Sequence, residues 1–476
     1  MALSDAAPYA IRMKSFLLFC TALLAAAPAR AQSPETAKID SVVHAEMASQ
    51  KIPGTAVAVI RAGQTIHAKG YGFANVEHRV PVTTQTIFQS GSVGKQFTST
   101  AVMQLVEAGK LGLDDPIAKY LPDAPATWRD ITIRHLLTHT SGIPDYTTDA
   151  FDYRRDYTED ELVKLAYAVT LEFPAGSRWN YSNTGYVLLG AIIRKAGGRF
   201  YGDHLAEHVF KPAGMTSARV ITEADIVPNR AAGYQLVKGE LKNQEWVSPV
   251  LNTTADGSLY LSLDDMIAWD RALRAGKLLK AESWKAVYDP VRLRSGNRYP
   301  YGFGWAVDSA GGQQRIGHGG GWQGFRTHID RYQGDDVTII VLANLGQGDA
   351  TGIARRIAAA LNPSLKPAEL KPIADTEPAQ TAKLRGVIGL LDSGSLKPSD
   401  FAYVRAGFFP GAAEHYTKLV QEAGRLERVV VMNRTTLGDD RISEYELHFE
   451  KGVYQARIGV AADGRISTFG MRKKPL

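Results

Sequence analysis

The sequence predicts an α+β protein, an antiparallel β-sheet flanked by helices with a large inserted helical region, followed by a small C-terminal α+β domain. Three observations predict it. Short β-branched runs stand near both ends of the first 362 residues, helical spacing dominates the interval between them, and a proline-spaced stretch then sets off a last block of helix and hairpins. At 476 residues, with 45% hydrophobic and 22% charged, the chain can bury a large core and by length divides into two or three domains.

The elements follow in chain order. Arg12 and Lys14 precede an apolar run from Phe16 to Ala27, and Ala29-Arg30-Ala31 offers small residues for cleavage, so residues 1–31 are expected to be an export signal. A spanning helix needs roughly 20 apolar residues. The run is shorter, so no stable membrane anchor is expected, and the predicted destination is periplasmic or secreted. The one cysteine, Cys20, lies inside that run, which leaves residues 32–476 without a thiol, a disulfide or a cysteine metal site. The formal charge of +6 is spread thinly, with no long basic run, and this argues against a nucleic-acid partner.

Residues 32–362 are expected to form the main domain. Ala56 to Ile60 and Thr65 to Ala68 flank Arg61 to Gln64 as a two-stranded hairpin. Further strands are predicted at Tyr301 to Trp305, Arg315 to His318, Phe325 to Asp330 and Val337 to Leu342, where early and late strands join one antiparallel sheet. Between them, Ser92 to Lys285 reads as mostly helical, with Phe97, Ala101, Leu105 and Val106 on one face and Gly109 ending that helix. Ser262 and Asp265 resemble a capping box that opens a helix through Trp269 and Leu273, a structural assignment. Ile353 to Leu361 reads as a helix that closes over the sheet. Pro363, Pro367, Pro372 and Pro378 mark a linker at 363–383, and 384–476 reads as helix followed by hairpins that turn at Lys451-Gly452 and Asp463-Gly464.

Three short motifs carry chemistry. In Gly91-Ser92-Val93-Gly94-Lys95 a serine at the first turn of a helix shares a face with the lysine three residues on, so the nitrogen can reach the hydroxyl. A phosphate loop is excluded, because Gln89 stands where a glycine is needed and Gln96 follows Lys95 in place of Ser or Thr. In Tyr181-Ser182-Asn183 a phenol beside a lysine can serve as a base, provided its pKa drops by about 3 from a free value near 10, which is roughly 4 kcal/mol. In Gly317-His318-Gly319-Gly320-Gly321 the glycines allow close approach to the backbone, and a free amide there can complete an oxyanion hole with the amide of Ser92.

Taken alone, each motif is common. In this order and spacing, together with His135-Leu136-Leu137-Thr138-His139-Thr140-Ser141-Gly142 and Pro212-Ala213-Gly214-Met215, the chain resembles the serine β-lactamase and penicillin-binding protein superfamily over residues 37–362. It is most similar to the class C-like branch. The resemblance implies a β-lactamase/transpeptidase-like fold and a serine hydrolase working through an acyl-enzyme, with Ser92 as nucleophile, Lys95 and Tyr181 as the proton-transfer pair and Asn183 donating to the substrate's acyl amide. His318 and Gly320 are expected to line the substrate, and the amides of Ser92 and Gly321 to bind the oxyanion. Esters or small amides and peptides are the implied substrates, with D-amino-acid peptidase, DD-carboxypeptidase or β-lactamase activity as the alternative. A binding protein without turnover is disfavoured by the presence of all four motif residues.

One departure shapes the expected specificity. His318-Gly319-Gly320 stands where many β-lactamases carry Lys-Thr-Gly, so a permanent cation and a hydroxyl are lost. With a free pKa near 6.5, His318 is expected to be mostly uncharged at neutral pH and to gain charge toward pH ~6, which predicts faster turnover of neutral esters than of a carboxylate-bearing cephalosporin. No metal or organic cofactor is implied: His135 and His139 are spaced like a zinc pair, but Leu136 replaces the metalloprotease glutamate, and a helix-end role is expected. Asn252-Thr253-Thr254 and Asn433-Arg434-Thr435 match a glycosylation pattern that arises often by chance.

Overall fold

Alternation along the first strand decides the architecture. Val57 and Val59 face one side and Ala56, Ala58 and Ile60 the other, all buried, so the strand needs cover on both faces. The computed structural model describes residues 33–474 except 149, 150, 223 and 406, and the expected export segment lies outside the described residues. A seven-stranded antiparallel sheet runs in the order Val80–Pro81, Gln64–Asn75, Gly54–Arg61, Val337–Ala343, Phe325–Tyr332, Gln313–Trp322, Ala306–Ala310. The early hairpin and the late strands meet where Val57 pairs with Val341.

Helices Pro34–Gln50 and Ala350–Leu361 cover the first face, with Ile39, Val43, Ile353 and Ile357 packed on Val57, Val59, Ile339 and Val341. The second face packs on the inserted region through Phe97, Ala101, Leu188, Leu261 and Trp269. Burying a side chain of this size contributes about 1.5–3 kcal/mol. The sheet therefore holds its two flanking layers mainly by apolar burial.

Three expectations are corrected. Tyr301 to Trp305 is no strand but a tight turn, in which the Gly302 N–H donates to the Trp305 carbonyl and the Tyr301 ring points into the core. The insertion is helical at Lys95–Glu107, Asn183–Gly197 and Leu263–Arg274, but long irregular stretches and two small strand pairs join these helices. Helix Pro378–Asp392 begins inside the segment expected to be linker, because a proline is tolerated in the first turn of a helix. The capping box at Ser262 and Asp265 is present.

The C-terminal residues form helices Pro378–Asp392 and Ala413–Ala423 against a four-stranded antiparallel meander, with their own core around Leu391, Val420, Leu447 and Ile458. The turn between its first two strands docks on the main domain. Arg178 pairs with Asp440 at 2.9 Å, and Asp439 accepts from Ser295 Oγ at 2.5 Å and from Asn297 Nδ2 at 2.7 Å. Both contacts fall beside segments that reach the site described below. No helix among the described residues is long and apolar enough to cross a membrane.

A chain ending at Asn362 is expected to fold, because the seven-stranded sheet and all of its two cores except Leu365 lie before that residue. Its thermal midpoint should fall by a few degrees, at about 2–4 °C per kcal/mol of lost docking. An insoluble or unfolded product would show that the C-terminal domain completes the main core.

Candidate active site

Ser92 sits in a single helical turn, Gly91–Gly94, that runs into helix Lys95–Glu107. The turn is squeezed between two backbones. Gly91 adopts φ +50, and a Cβ there would stand 2.4 Å from the Gly321 nitrogen, so only glycine fits. A Cβ on Gly320 would stand 2.1 Å from the Ser90 carbonyl oxygen and 3.1 Å from the Ser92 nitrogen. Thr327 Oγ1 donates to that same carbonyl at 2.5 Å. The glycines, expected after a strand, lie within strand Gln313–Trp322 and bring its edge against the Ser92 amide.

Lys95 is fully buried beneath the serine. Its Nζ reaches Ser92 Oγ at 3.1 Å, Asn183 Oδ1 at 2.7 Å and the Asp256 carbonyl. Burial lowers its pKa from 10.5 to about 8, although the Asp256 and Asp145 carboxylates pull the other way. That difference is worth about 3 kcal/mol between the charged and neutral forms. A neutral amine has two N–H donors and one lone pair, which match Asn183 Oδ1, the Asp256 carbonyl and the Ser92 hydroxyl one for one.

Tyr181 departs from its expected role. Lys95 Nζ stands 4.9 Å from the centre of its ring and not at its hydroxyl. Burial pushes the phenol well above 10, with Ser92 offsetting only part of the effect, so near neutrality the phenol stays protonated. Asn183 is also used differently from the expectation: its Nδ2 is directed at the Asp145 carboxylate, at 3.0 and 3.3 Å, while its Oδ1 holds Lys95.

His318 is corrected most. It is 8% exposed, its Nδ1 lies 2.7 Å from the Gly319 carbonyl, and its Nε2 lies 2.8 Å from the Tyr301 hydroxyl. Burial and the nearby Lys95 lower its pKa to about 3. It is therefore neutral at pH ~6 as well as at pH ~7, and pH in that range cannot charge it.

The cleft above Ser92 encloses about 390 Å³ and is lined by Asn183, Asp256, Gly321, Trp322 and Arg326 among others. Arg326 was missed in the sequence. It pairs across the strands with Gly321, and its Nη1 lies 2.5 Å from where a Gly321 Cβ would stand. Its guanidinium is half-buried, donates to the Phe325 carbonyl at 3.1 Å and has no carboxylate partner among the described residues. A permanent cation therefore stands in the cleft after all, on the neighbouring strand. The two-residue turn Gln323-Gly324 would have revealed it, since counting back from the turn pairs Phe325 with Trp322 and Arg326 with Gly321.

Comparison with known proteins agrees with this geometry, because a family described as beta-lactamase matches residues 39–362. The chain belongs to the beta-lactamase family. Penicillin-binding protein 4* of Bacillus subtilis is 33% identical over 308 residues, which span 61% of this chain and 68% of that protein. A D-aminopeptidase of Gluconobacter oxydans is 30% identical over 342 residues, 70% of this chain and 63% of the relative, so the chain spans less than two thirds of that enzyme. The solved octameric penicillin-binding protein homologue from Pyrococcus abyssi has the same fold at 24% identity, with a TM-score of 0.61 over 92% of this chain and 96% of its own. The likeness extends past the beta-lactamase family match and into the C-terminal domain.

Two further histidines in this beta-lactamase family member are accounted for. His135 closes a capping box with Thr132, whereas His139 lies against Tyr181 with ring centres 4.2 Å apart. Gly320→Val is expected to push the strand off the Ser92 turn and to lower covalent labelling of Ser92 by a fluorophosphonate at least tenfold, with the fold retained by circular dichroism.

Proposed function

We propose that the protein is a serine hydrolase that cleaves small amides, peptides or esters through an acyl-enzyme on Ser92. The observation that carries this reading is the buried Lys95, held by Asn183 and Asp256 so that its third position meets the Ser92 hydroxyl. In the neutral form Lys95 takes the Ser92 proton as Oγ attacks the carbonyl carbon. The amides of Ser92 and Gly321 receive the negative charge that forms on the carbonyl oxygen. Tyr181, protonated beside Ser92, passes its proton to the leaving group as the bond from the carbonyl carbon to that group breaks. Water then attacks the acyl-enzyme and gives a proton back to Tyr181, and the bond between Ser92 Oγ and the acyl group breaks as Lys95 returns its proton to Oγ. The family match and the relatives named as a penicillin-binding protein and a D-aminopeptidase support this reading.

Arg326 favours substrates that place a carboxylate near the scissile bond. A hydrogen bond to a charged group contributes about 1.5–3 kcal/mol, a factor of roughly ten to a hundred in selectivity. Peptides ending in a free carboxylate and β-lactams carry that group, and nitrophenyl acetate does not. The substrate preference drawn from His318 alone therefore reverses.

Ser92→Ala should remove turnover by on the order of 10⁴-fold or more, and loss of less than tenfold would contradict the assignment. Because the neutral form of Lys95 is the active one, kcat/KM should rise with pH and level off above about 8. A profile flat from pH ~6 to pH ~9 would rule out Lys95 as the base. Arg326→Ala should lower kcat/KM for a chromogenic cephalosporin roughly tenfold to a hundredfold while changing that for nitrophenyl acetate less than about threefold. Equal losses on both substrates would mean that Arg326 supports the cleft and does not read charge.

A further inference from the structure

Four hydrogen bonds link the segment carrying Tyr181 to the strand carrying Gly320 and Gly321. The Ser182 N–H donates to His139 Nδ1 at 3.1 Å. His139 Nε2 lies 3.2 Å from the Tyr301 hydroxyl, and that hydroxyl lies 2.8 Å from His318 Nε2. His318 Nδ1 lies 2.7 Å from the Gly319 carbonyl.

The two ends decide every proton between them. A backbone N–H can only donate, so His139 Nδ1 is an acceptor and its proton sits on Nε2. That N–H donates to the Tyr301 oxygen, whose own O–H then donates to His318 Nε2. His318 must carry its proton on Nδ1, where the Gly319 carbonyl accepts it. The chain runs one way and is closed at both ends by backbone. No proton can enter it, and each imidazole is fixed in one neutral tautomer.

His139 grips the Tyr181 segment twice. Its carbonyl accepts from the Asn180 N–H at 3.0 Å and its ring from the Ser182 N–H, so Tyr181 is held between two bonds to one residue. Its ring also lies tilted against that of Tyr181, with ring centres 4.2 Å apart. His139 adopts φ +58, a left-handed conformation sparsely populated by residues other than glycine, and such conformations concentrate where the surroundings demand a particular placement. The groups facing this chain are Lys95, Tyr181 and Tyr186 around His139, Tyr181 and Tyr186 around Tyr301, and Lys95, Tyr181 and His328 around His318.

We propose that His139 and Tyr301 are positioning residues, which set Tyr181 against the oxyanion-binding strand through a one-way hydrogen-bonded chain ending at the Gly319 carbonyl. The proposal rests on the reading of Ser92, Lys95 and Tyr181 as the reacting groups. Neither residue touches the substrate. Their effect is to hold the Tyr181 segment in a fixed place relative to the strand that carries the Gly321 amide.

Tyr301→Phe tests this, because it keeps the ring that packs on His139 and Trp179 and removes only the oxygen that joins the two histidines. The variant is expected to fold and to label fully at Ser92 with a fluorophosphonate. Per labelled site, kcat should fall roughly tenfold to a hundredfold with KM changed less than about threefold, as expected for lost alignment in the transition state. A merely structural role would lower the labelled fraction and leave turnover per labelled site unchanged, and that result would overturn the proposal. A second measurement needs neither turnover nor the variant's folding. Nitrogen-15 histidine NMR of the whole protein, assigned with His139→Gln and His318→Gln, should show His139 protonated at Nε2 and His318 at Nδ1, with neither ring titrating from about pH 5.5 to about pH 8.5. The opposite tautomer in either ring, or titration of either in that range, would overturn the proposal. If Ser92→Ala retained turnover, the catalytic reading would fail while this NMR result would still stand or fall by itself.

Discussion

Burial of one lysine nitrogen is the constraint on which the rest of the site depends. An ammonium removed from water needs three acceptors, and Lys95 finds them on three separate stretches of chain: Ser92 in its own turn, Asn183 at the start of the next long helix and the Asp256 carbonyl in a distant loop. Charge on Asp145 and Asp256 nearby lessens the cost of burial without cancelling it. The balance leaves Lys95 poised near neutrality, able to hold a proton or to release it. A lysine at the surface would stay charged, and one buried without carboxylates nearby would lose its proton far below neutral pH.

The same constraint explains the backbone around it. The Ser92 turn has to lie close enough to strand Gln313–Trp322 for the two amides to converge, and side chains at Gly91 or Gly320 would hold them apart. The second layer is aromatic. Tyr181, His139, Tyr301 and Trp179 pack in sequence behind the cleft, and Trp179 stacks on Tyr299 with ring centres 4.3 Å apart. The C-terminal domain touches this layer from outside, through Asp440 on Arg178 and Asp439 on Asn297. A polar contact between domains thus falls one residue before Trp179 and two before Tyr299.

The sequence carried the site's ingredients more clearly than its wiring. Ser92, Lys95, Tyr181 and Asn183 could be singled out because their motifs follow in the order and spacing of the family the chain resembles, whereas each motif alone is common; the structure brings Ser92, Lys95 and Asn183 into contact. The early hairpin, the late strands from Arg315 onward and the closing helix were legible from their periods. Charge states were not, since they depend on burial by residues far along the chain: Tyr181 is pushed up and not down, and His318 is held neutral by burial and by the nearby Lys95. Tyr301 to Trp305 misled because its apolar and aromatic residues suit a strand, while its actual shape is dictated by a turn and by the contact of Tyr301 with two histidines. Arg326 escaped because its place depends on register between strands, which no single motif contains.

Everything at this site turns on Lys95 losing its proton near neutral pH inside the cluster. Nitrogen-15 lysine NMR of the Ser92→Ala protein, with the Lys95 signal assigned by its loss in Lys95→Met, measures this directly and apart from any substrate. A single lysine is expected to titrate at about 8, well below the ordinary 10.5. A Lys95 signal that stays protonated up to about pH 10, like a free lysine, would contradict it.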